Sequence, residues 1–204
     1  MRIEPMTGLE DVLLIYPDLH DDERGYFYEV FNEKEFNEKT GGKYDFHVLQ
    51  ENESKSKAGV FRGLHFQKAP YEQAKLVRVL KGHVVDFAVD IRKDSPTFGK
   101  CVFANLTGEN KCQFFIPRGF AHGFYVFSDE AVFEYKCDNY YNKESEDGIR
   151  WDDKEIEVLA YHDIYHDLNM EHPSIWGVFD AFKITEHIIL SDKDKNRITT
   201  LKDL

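Results

Sequence analysis

The chain has 204 residues, 42% hydrophobic and 15% aromatic, which suits one domain with a sizeable core and excludes a disordered chain. Its formal net charge of −12 is spread along the length and argues against nucleic acid or an anionic membrane as partner. No apolar run approaches the ~18 residues of a membrane span. Met1-Arg2-Ile3-Glu4-Pro5 lacks a secretion signal's apolar region, and Cys101, Cys112 and Cys137 show no CxxC spacing, so a reducing cytoplasm is the expected location.

Val12–Tyr16 alternates as a strand, a loop runs from Pro17 to Gly25, and Tyr26–Phe31 reads as a second strand. Asn32 is placed to cap a short helix over Glu33–Asn37, which Gly41-Gly42 ends. Further strands are expected at Phe46–Gln50, Gly59–Arg62, Ala74–Leu80, Val84–Ile91, Lys100–Leu106, Cys112–Ile116, Gly123–Phe127 and Ala131–Tyr135, with Lys81-Gly82 as a turn. Many short strands with polar turns, together with 17 Phe and 11 Tyr, predict an all-β sandwich or barrel. Helical crossovers are missing, so a parallel sheet is not expected. From about Tyr140 the pattern changes. Asp147–Glu157 is polar around Trp151, residues 159–188 are rich in His, aromatic and acidic residues, and Ser174–Phe182 looks helical. The reading is one domain over 1–204, with a β core at about 10–157 and a C-terminal extension at about 158–204.

The chemistry concentrates in Arg62-Gly63-Leu64-His65-Phe66-Gln67, followed by the strand Ala74-Lys75-Leu76-Val77-Arg78-Val79. Strands carry His, Arg and Lys at a cost unless these groups are paired or used. A pocket that grips an anion and moves a proton is such a use. Pro117-Arg118-Gly119-Phe120-Ala121-His122-Gly123-Phe124 contains PxGxxH, the turn-then-strand signature with which cupin-type jelly rolls aim a histidine inward. The HxH pair of a metal cupin is missing, so no bound metal is expected and the inward histidines point to acid–base chemistry. His162, His166, His172 and His187 have no standard ligand spacing and read as surface residues. Gly-rich phosphate loops are absent too, so a phosphate group would be gripped by arginine and lysine side chains.

In order and spacing the chain resembles the dTDP-4-dehydrorhamnose 3,5-epimerase family of nucleotide-sugar epimerases over roughly residues 10–157. The matching pieces are Asp22-Glu23-Arg24-Gly25-Tyr26-Phe27-Tyr28-Glu29, Gln50-Glu51-Asn52-Glu53-Ser54, Gly59 to Gln67, Ala74-Lys75-Leu76-Val77, Val89-Asp90-Ile91-Arg92, Ser95-Pro96-Thr97-Phe98-Gly99, Ile116 to Phe124 and Tyr135-Lys136-Cys137, with Leu190-Ser191-Asp192-Lys193-Asp194 in the tail. The resemblance implies a cupin-like jelly roll with a short helical C-terminal appendage. It implies no cofactor, a dTDP-linked 4-keto-6-deoxy sugar as substrate, and a homodimer that exchanges an N-terminal strand region. By the same resemblance His65 is the base, Tyr135 the acid across the ring, and Lys75 and Arg62 the cations for the enolate. Arg24 and Glu29 contact the nucleotide from the partner subunit, while Gln50, Asn52, His122, Tyr141, Glu146 and Lys193 contact substrate.

The carboxylate behind His65 is carried to Asp194, with Asp86 and Asp90 as the other candidates; Asp90 could instead pair with Arg92. The chain departs from the family between Val158 and Ile188, where it is longer and Leu159-Ala160-Tyr161 replaces the usual Trp-Pro. Three other functions fit the residues: an epimerase acting at one carbon or on another dTDP- or GDP-linked sugar, a metal-dependent cupin isomerase or dioxygenase, and a non-catalytic sugar-nucleotide-binding protein.

Overall fold

The computed structural model describes residues 1–161, Ile175 and 188–204; apart from Ile175, the helix expected at Ser174–Phe182 lies outside the described residues. Two six-stranded sheets form the body. The first runs from edge to edge as β1 (Arg2–Met6), β2 (Leu9–Tyr16), β10 (Gln113–Ile116), β7 (Lys75–Lys81), β12 (Glu130–Cys137) and β5 (Gln50–Lys57). The second runs as β13 (Glu146–Gly148), β6 (Phe61–Gln67), β11 (Phe120–Val126), β8 (His83–Asp90), β9 (Lys100–Thr107) and β14 (Glu157–Tyr161). A separate hairpin joins β3 (His20–Asp22) to β4 (Gly25–Phe27). This is the all-β body expected from the strand pattern, with the jelly-roll form that the resemblance implied. Among the named strands one pair departs from the antiparallel expectation: β14 lies parallel to β9. With β1 and β14 the sheets reach beyond 10–157 at both ends.

Period-two alternation sorts the side chains into layers. On β8, Val84 and Ala88 enter the core between the sheets, and Asp86 shares their face; Val85, Phe87 and Val89 pack on the outer side. On β12, Ala131, Phe133 and Tyr135 face inward. Each large apolar side chain buried this way contributes about 1.5–3 kcal/mol. The outer face of the second sheet is covered by Ile156, Val158, Ile188, Leu190 and Leu201, so the tail belongs to this core. The outer face of the first sheet is covered by α1 (Glu33–Lys39). Asn32 caps that helix by accepting from the Glu35 amide at 3.0 Å, and fully buried Phe36 packs on Phe46 and Phe115.

Three expected strands sit elsewhere. The strand expected at Gly59–Arg62 runs from Phe61 to Gln67. The strand expected at Phe46–Gln50 begins at Gln50 and continues through Gln-Glu-Asn-Glu-Ser-Lys-Ser-Lys, paired with β12 over its whole length. Its inward residues Asn52, Ser54 and Ser56 stand opposite Tyr135, Phe133 and Ala131, so the strand carries no apolar alternation for a sequence reader to find. The strand expected at Tyr26–Phe31 stops at Phe27. Beyond it the chain lies across the first sheet: Arg78 Nη1 donates to the Tyr28 hydroxyl at 3.1 Å, Gln113 Nε2 donates to the Val30 carbonyl at 2.6 Å, and Phe31 packs on Phe36.

Candidate active site

Between the sheets lies a cavity of about 520 Å³, lined by His65, Arg62 and His122 of the second sheet, Lys75, Phe133 and Tyr135 of the first, and Glu146, Ser191 and Asp194 at the rim. A smaller recess of about 100 Å³ shares His65, Lys75, Tyr135 and Glu146 with it and adds Gln50, Asn52 and Tyr141.

Local backbone geometry brings Arg62 and His65 into the same space. Three residues apart, they would face opposite sides of a regular strand. The β6–β11 register pairs His122 with His65 and Phe124 with Arg62, two steps on β11 against three on β6. The extra residue makes a β-bulge at Gly63, whose φ of 129° is open to glycine. A Cβ there would lie 2.6 Å from the Gly123 Cα and 2.7 Å from the His122 carbonyl oxygen. The bulge also explains why Phe61 and Leu64, likewise three apart, both pack on the outer core.

His65 is half-buried, and its Nε2 lies 2.6 Å from Oδ1 of Asp194. Asp194 is held from two sides. Ser191 Oγ donates to its Oδ2 at 2.8 Å, and its own amide donates to Ser191 Oγ at 3.1 Å, as Ser191 caps α2 (Asp192–Lys195). Burial pushes the Asp194 carboxyl up, but the hydrogen bond and charge of His65, the Ser191 hydroxyl and Arg197 outweigh it and hold the group below its usual range. Nε2–H therefore donates to a carboxylate, and Nδ1 is the ring atom left to accept a proton.

The other two carboxylates once eligible for His65 are engaged elsewhere. Asp86 is fully buried and meets His122 Nε2 at 2.9 and 3.0 Å through its two oxygens. Asp90 accepts from Arg92 Nε at 2.9 Å, Ser95 Oγ at 2.6 Å and Thr97 Oγ1 at 2.7 Å, closing the loop after β8.

Lys75 and Arg62 make no ion pair among the described residues. Arg62 Nε donates to Ser56 Oγ at 3.0 Å, and Lys75 Nζ lies 5.9 Å from the Tyr135 ring centroid. Burial lowers the Lys75 amine from its ordinary value, partly offset by Cys137, Asp86 and Glu146. Burial raises the Tyr135 phenol, as does Cys137, so it keeps its proton at neutral pH. Two basic side chains that face the cavity and make no ion pair among the described residues offer a site for an anion.

Tyr141 OH donates to Glu146 Oε2 at 2.9 Å, Lys193 Nζ meets Glu146 Oε1 at 2.6 Å, and Gln50 joins Asn52 to the Tyr141 amide, so five of the expected substrate contacts form one rim network. Arg24 and Glu29 do not line this cavity. Arg24 pairs with Asp22 on the exposed β3–β4 hairpin, beside Tyr26 and Phe27, which are 55% and 72% exposed. Sequence reasoning missed Ser56, Ser191 and the apolar wall of Phe124 and Phe133, whose rings stack at 4.1 Å. The inward alternation of β11 and β12 was the signal for the two phenylalanines.

The sequence profile described as dTDP-4-dehydrorhamnose 3,5-epimerase matches residues 6–203. The enzyme of that name from Shigella flexneri is 57% identical over 152 residues, 74% of this chain and 83% of its own. The crystal structure of dTDP-4-dehydrorhamnose 3,5-epimerase from Elizabethkingia anophelis superposes with a TM-score of 0.80 at 46% identity, covering 100% of this chain and 97% of its own. The dTDP-6-deoxy-D-glucose-3,5-epimerase of Legionella pneumophila, solved in complex with dTDP-4-keto-L-rhamnose, gives 0.80 at 41% identity over 98% of this chain and 93% of its own. The profile takes in most of the chain and the Shigella relative shares more than half of the residues aligned, so the chain belongs to the dTDP-4-dehydrorhamnose 3,5-epimerase family.

Proposed function

We infer that this chain epimerises C3 and C5 of a dTDP-linked 4-keto-6-deoxyhexose, converting dTDP-4-dehydro-6-deoxyglucose to dTDP-4-dehydrorhamnose. The observation that carries the reading is the placement of His65 and Tyr135 on opposed sheets of one cavity, with the unpaired Lys75 beside Tyr135. Protons at C3 and C5 are acidic because they flank the C4 carbonyl. Nδ1 of His65, oriented by Asp194, takes the proton, and the electron pair moves to the C4 oxygen as an enolate. Lys75 and Arg62 face that charge. Tyr135 returns a proton to the carbon from the opposite face, inverting the centre. Gln50, Asn52, Tyr141, Glu146, Lys193 and His122 bind the rest of the substrate.

The test is incubation with dTDP-4-keto-6-deoxyglucose in D₂O, followed by NMR. Wild-type protein is expected to exchange both protons and change the ring coupling constants. His65→Ala should lose exchange at both carbons with its fold intact, and near-normal exchange in that variant would falsify the base assignment. Tyr135→Phe should lose epimerisation more than exchange. Inversion at one carbon alone identifies the single-carbon alternative.

The exposed β3–β4 hairpin reaches a second copy in this proposal, bringing Arg24 and Glu29 to the partner's nucleotide. Phe27 and Tyr26, exposed here, gain cover by it. Sedimentation velocity is expected to show a dimer that Phe27→Ser weakens; a monomer at micromolar concentration removes the idea. No helix among the described residues is long and apolar enough to cross a membrane.

A further inference from the structure

His65 and His122 occupy directly opposed positions on β6 and β11, and each Nε2 is backed by a buried aspartate. The two pairs differ in setting. Asp194 accepts a second hydrogen bond besides that of its histidine, from Ser191 Oγ at 2.8 Å. Asp86 has no such second donor: among the described residues His122 Nε2 is its only hydrogen-bonding partner, bonded to Oδ2 at 3.0 Å and lying 2.9 Å from Oδ1 without forming a second hydrogen bond. A fully buried carboxylate with a single donor is costly as an anion. Burial raises the Asp86 carboxyl, opposed by His122 and Lys75; burial lowers the His122 imidazole, opposed by Asp86 and reinforced by Lys75 and His65. Groups this close titrate as one unit, and burial favours the unit with no net charge.

A neutral Asp86–His122 unit has the same consequence wherever its shared proton sits. As carboxylate with imidazolium, or as carboxylic acid with neutral imidazole, it leaves a hydrogen on Nδ1. His122 lines the cavity, and Nδ1 has no hydrogen-bond partner among the described residues.

We propose that Asp86 and His122 form one proton-holding unit that keeps an N–H on His122 Nδ1, and that this N–H donates to the substrate's C4 oxygen as it gains charge, alongside Lys75. This rests on the epimerase reading of the cavity. His122 touches the substrate, while Asp86 acts through His122 as a positioning residue. Asp194 fixes the opposite tautomer on His65, so one histidine accepts a proton and its opposed neighbour donates a hydrogen bond.

The experiment compares Asp86→Asn, Asp86→Leu and His122→Phe, each alone and with the Asp86 changes in the His122→Phe background. The readouts are C3 deuterium exchange, kcat, KM and dTDP binding. Asparagine can donate its amide N–H to Nε2 and preserve the Nδ1–H tautomer; leucine cannot. Asp86→Asn is expected to stay within about tenfold of wild type, and Asp86→Leu and His122→Phe to lose about 10²–10³-fold in kcat, the cost of one oxyanion donor, with dTDP affinity retained. In the His122→Phe background Asp86→Leu should cost little more. The proposal is overturned if Asp86→Asn falls as far as Asp86→Leu, if Asp86→Leu costs as much without His122 as with it, or if His122→Phe keeps wild-type kcat. Should Asp86→Leu not fold, the Asp86→Asn and His122→Phe results decide by themselves. Wild-type protein that fails to exchange the sugar protons refutes the epimerase reading instead.

Discussion

Asp194→Asn is expected to lower proton exchange at C3 and C5 by about 10²–10⁴-fold while leaving dTDP binding close to wild type. Because the Asp194 carboxyl is lowered in the fold, its charge stabilises the protein at neutral pH, and the variant also melts at a modestly lower temperature. The carboxylate sits 2.6 Å from His65 Nε2, and its second oxygen accepts from Ser191 Oγ. Asparagine keeps the shape and the Ser191 cap. Its Oδ1 no longer places a negative charge beside the ring as the ring takes up a proton, and its Nδ2, if turned to His65, holds the proton on Nδ1, where the base of the proposed mechanism must be free. Both effects fall on the chemical step. The expected result is a drop in kcat with little change in KM, measured by deuterium incorporation followed by NMR. Equal losses in kcat and dTDP affinity, or exchange within a fewfold of wild type, would show that Asp194 only supports the fold.

This pair also shows the reach and limit of sequence reading. His65 announces itself, because a histidine between apolar residues on a strand needs a use. Asp194 is 129 positions away on a four-residue helix, in a tail that departs from its relatives just before it, and a carboxylate has no periodicity to mark it. Only the resemblance pointed there. β8 was legible because Val85-Phe87-Val89 and Val84-Ala88 alternate between two apolar layers. β5 was displaced because its inward residues face the cavity instead of a core: function replaced the hydrophobic signal. The bulge at Gly63 was hidden for a different reason. Its cause is a contact between Gly63 and Gly123, and tertiary contacts between distant glycines leave no local pattern.

Lys75→Met is expected to cost about 10²–10³-fold in kcat and at the same time to raise the melting temperature. Methionine fills similar volume without the charge. In the proposed mechanism the lost rate follows from removing the donor that faces the enolate oxygen in a partly desolvated site. The gain in stability follows from the sign of the shift. The Lys75 amine is lowered in the folded state, so its charged form is less stable there than in the unfolded chain. At every pH below the folded value the protein bears that cost, and methionine removes it. For a chain of this size each kcal/mol recovered raises Tm by about 2–4 °C. The same sign fixes the alkaline side of the pH profile. The ammonium is lost at lower pH than on a surface lysine, so activity declines as pH rises through that lowered value. Burial raises the Tyr135 phenol, so the proton donor survives to higher pH. The alkaline limb thus belongs to Lys75 and should vanish or move upward in the methionine variant. An unchanged limb, or a lower melting temperature, would mean that Lys75 is held as a structural cation instead of one left open for the enolate.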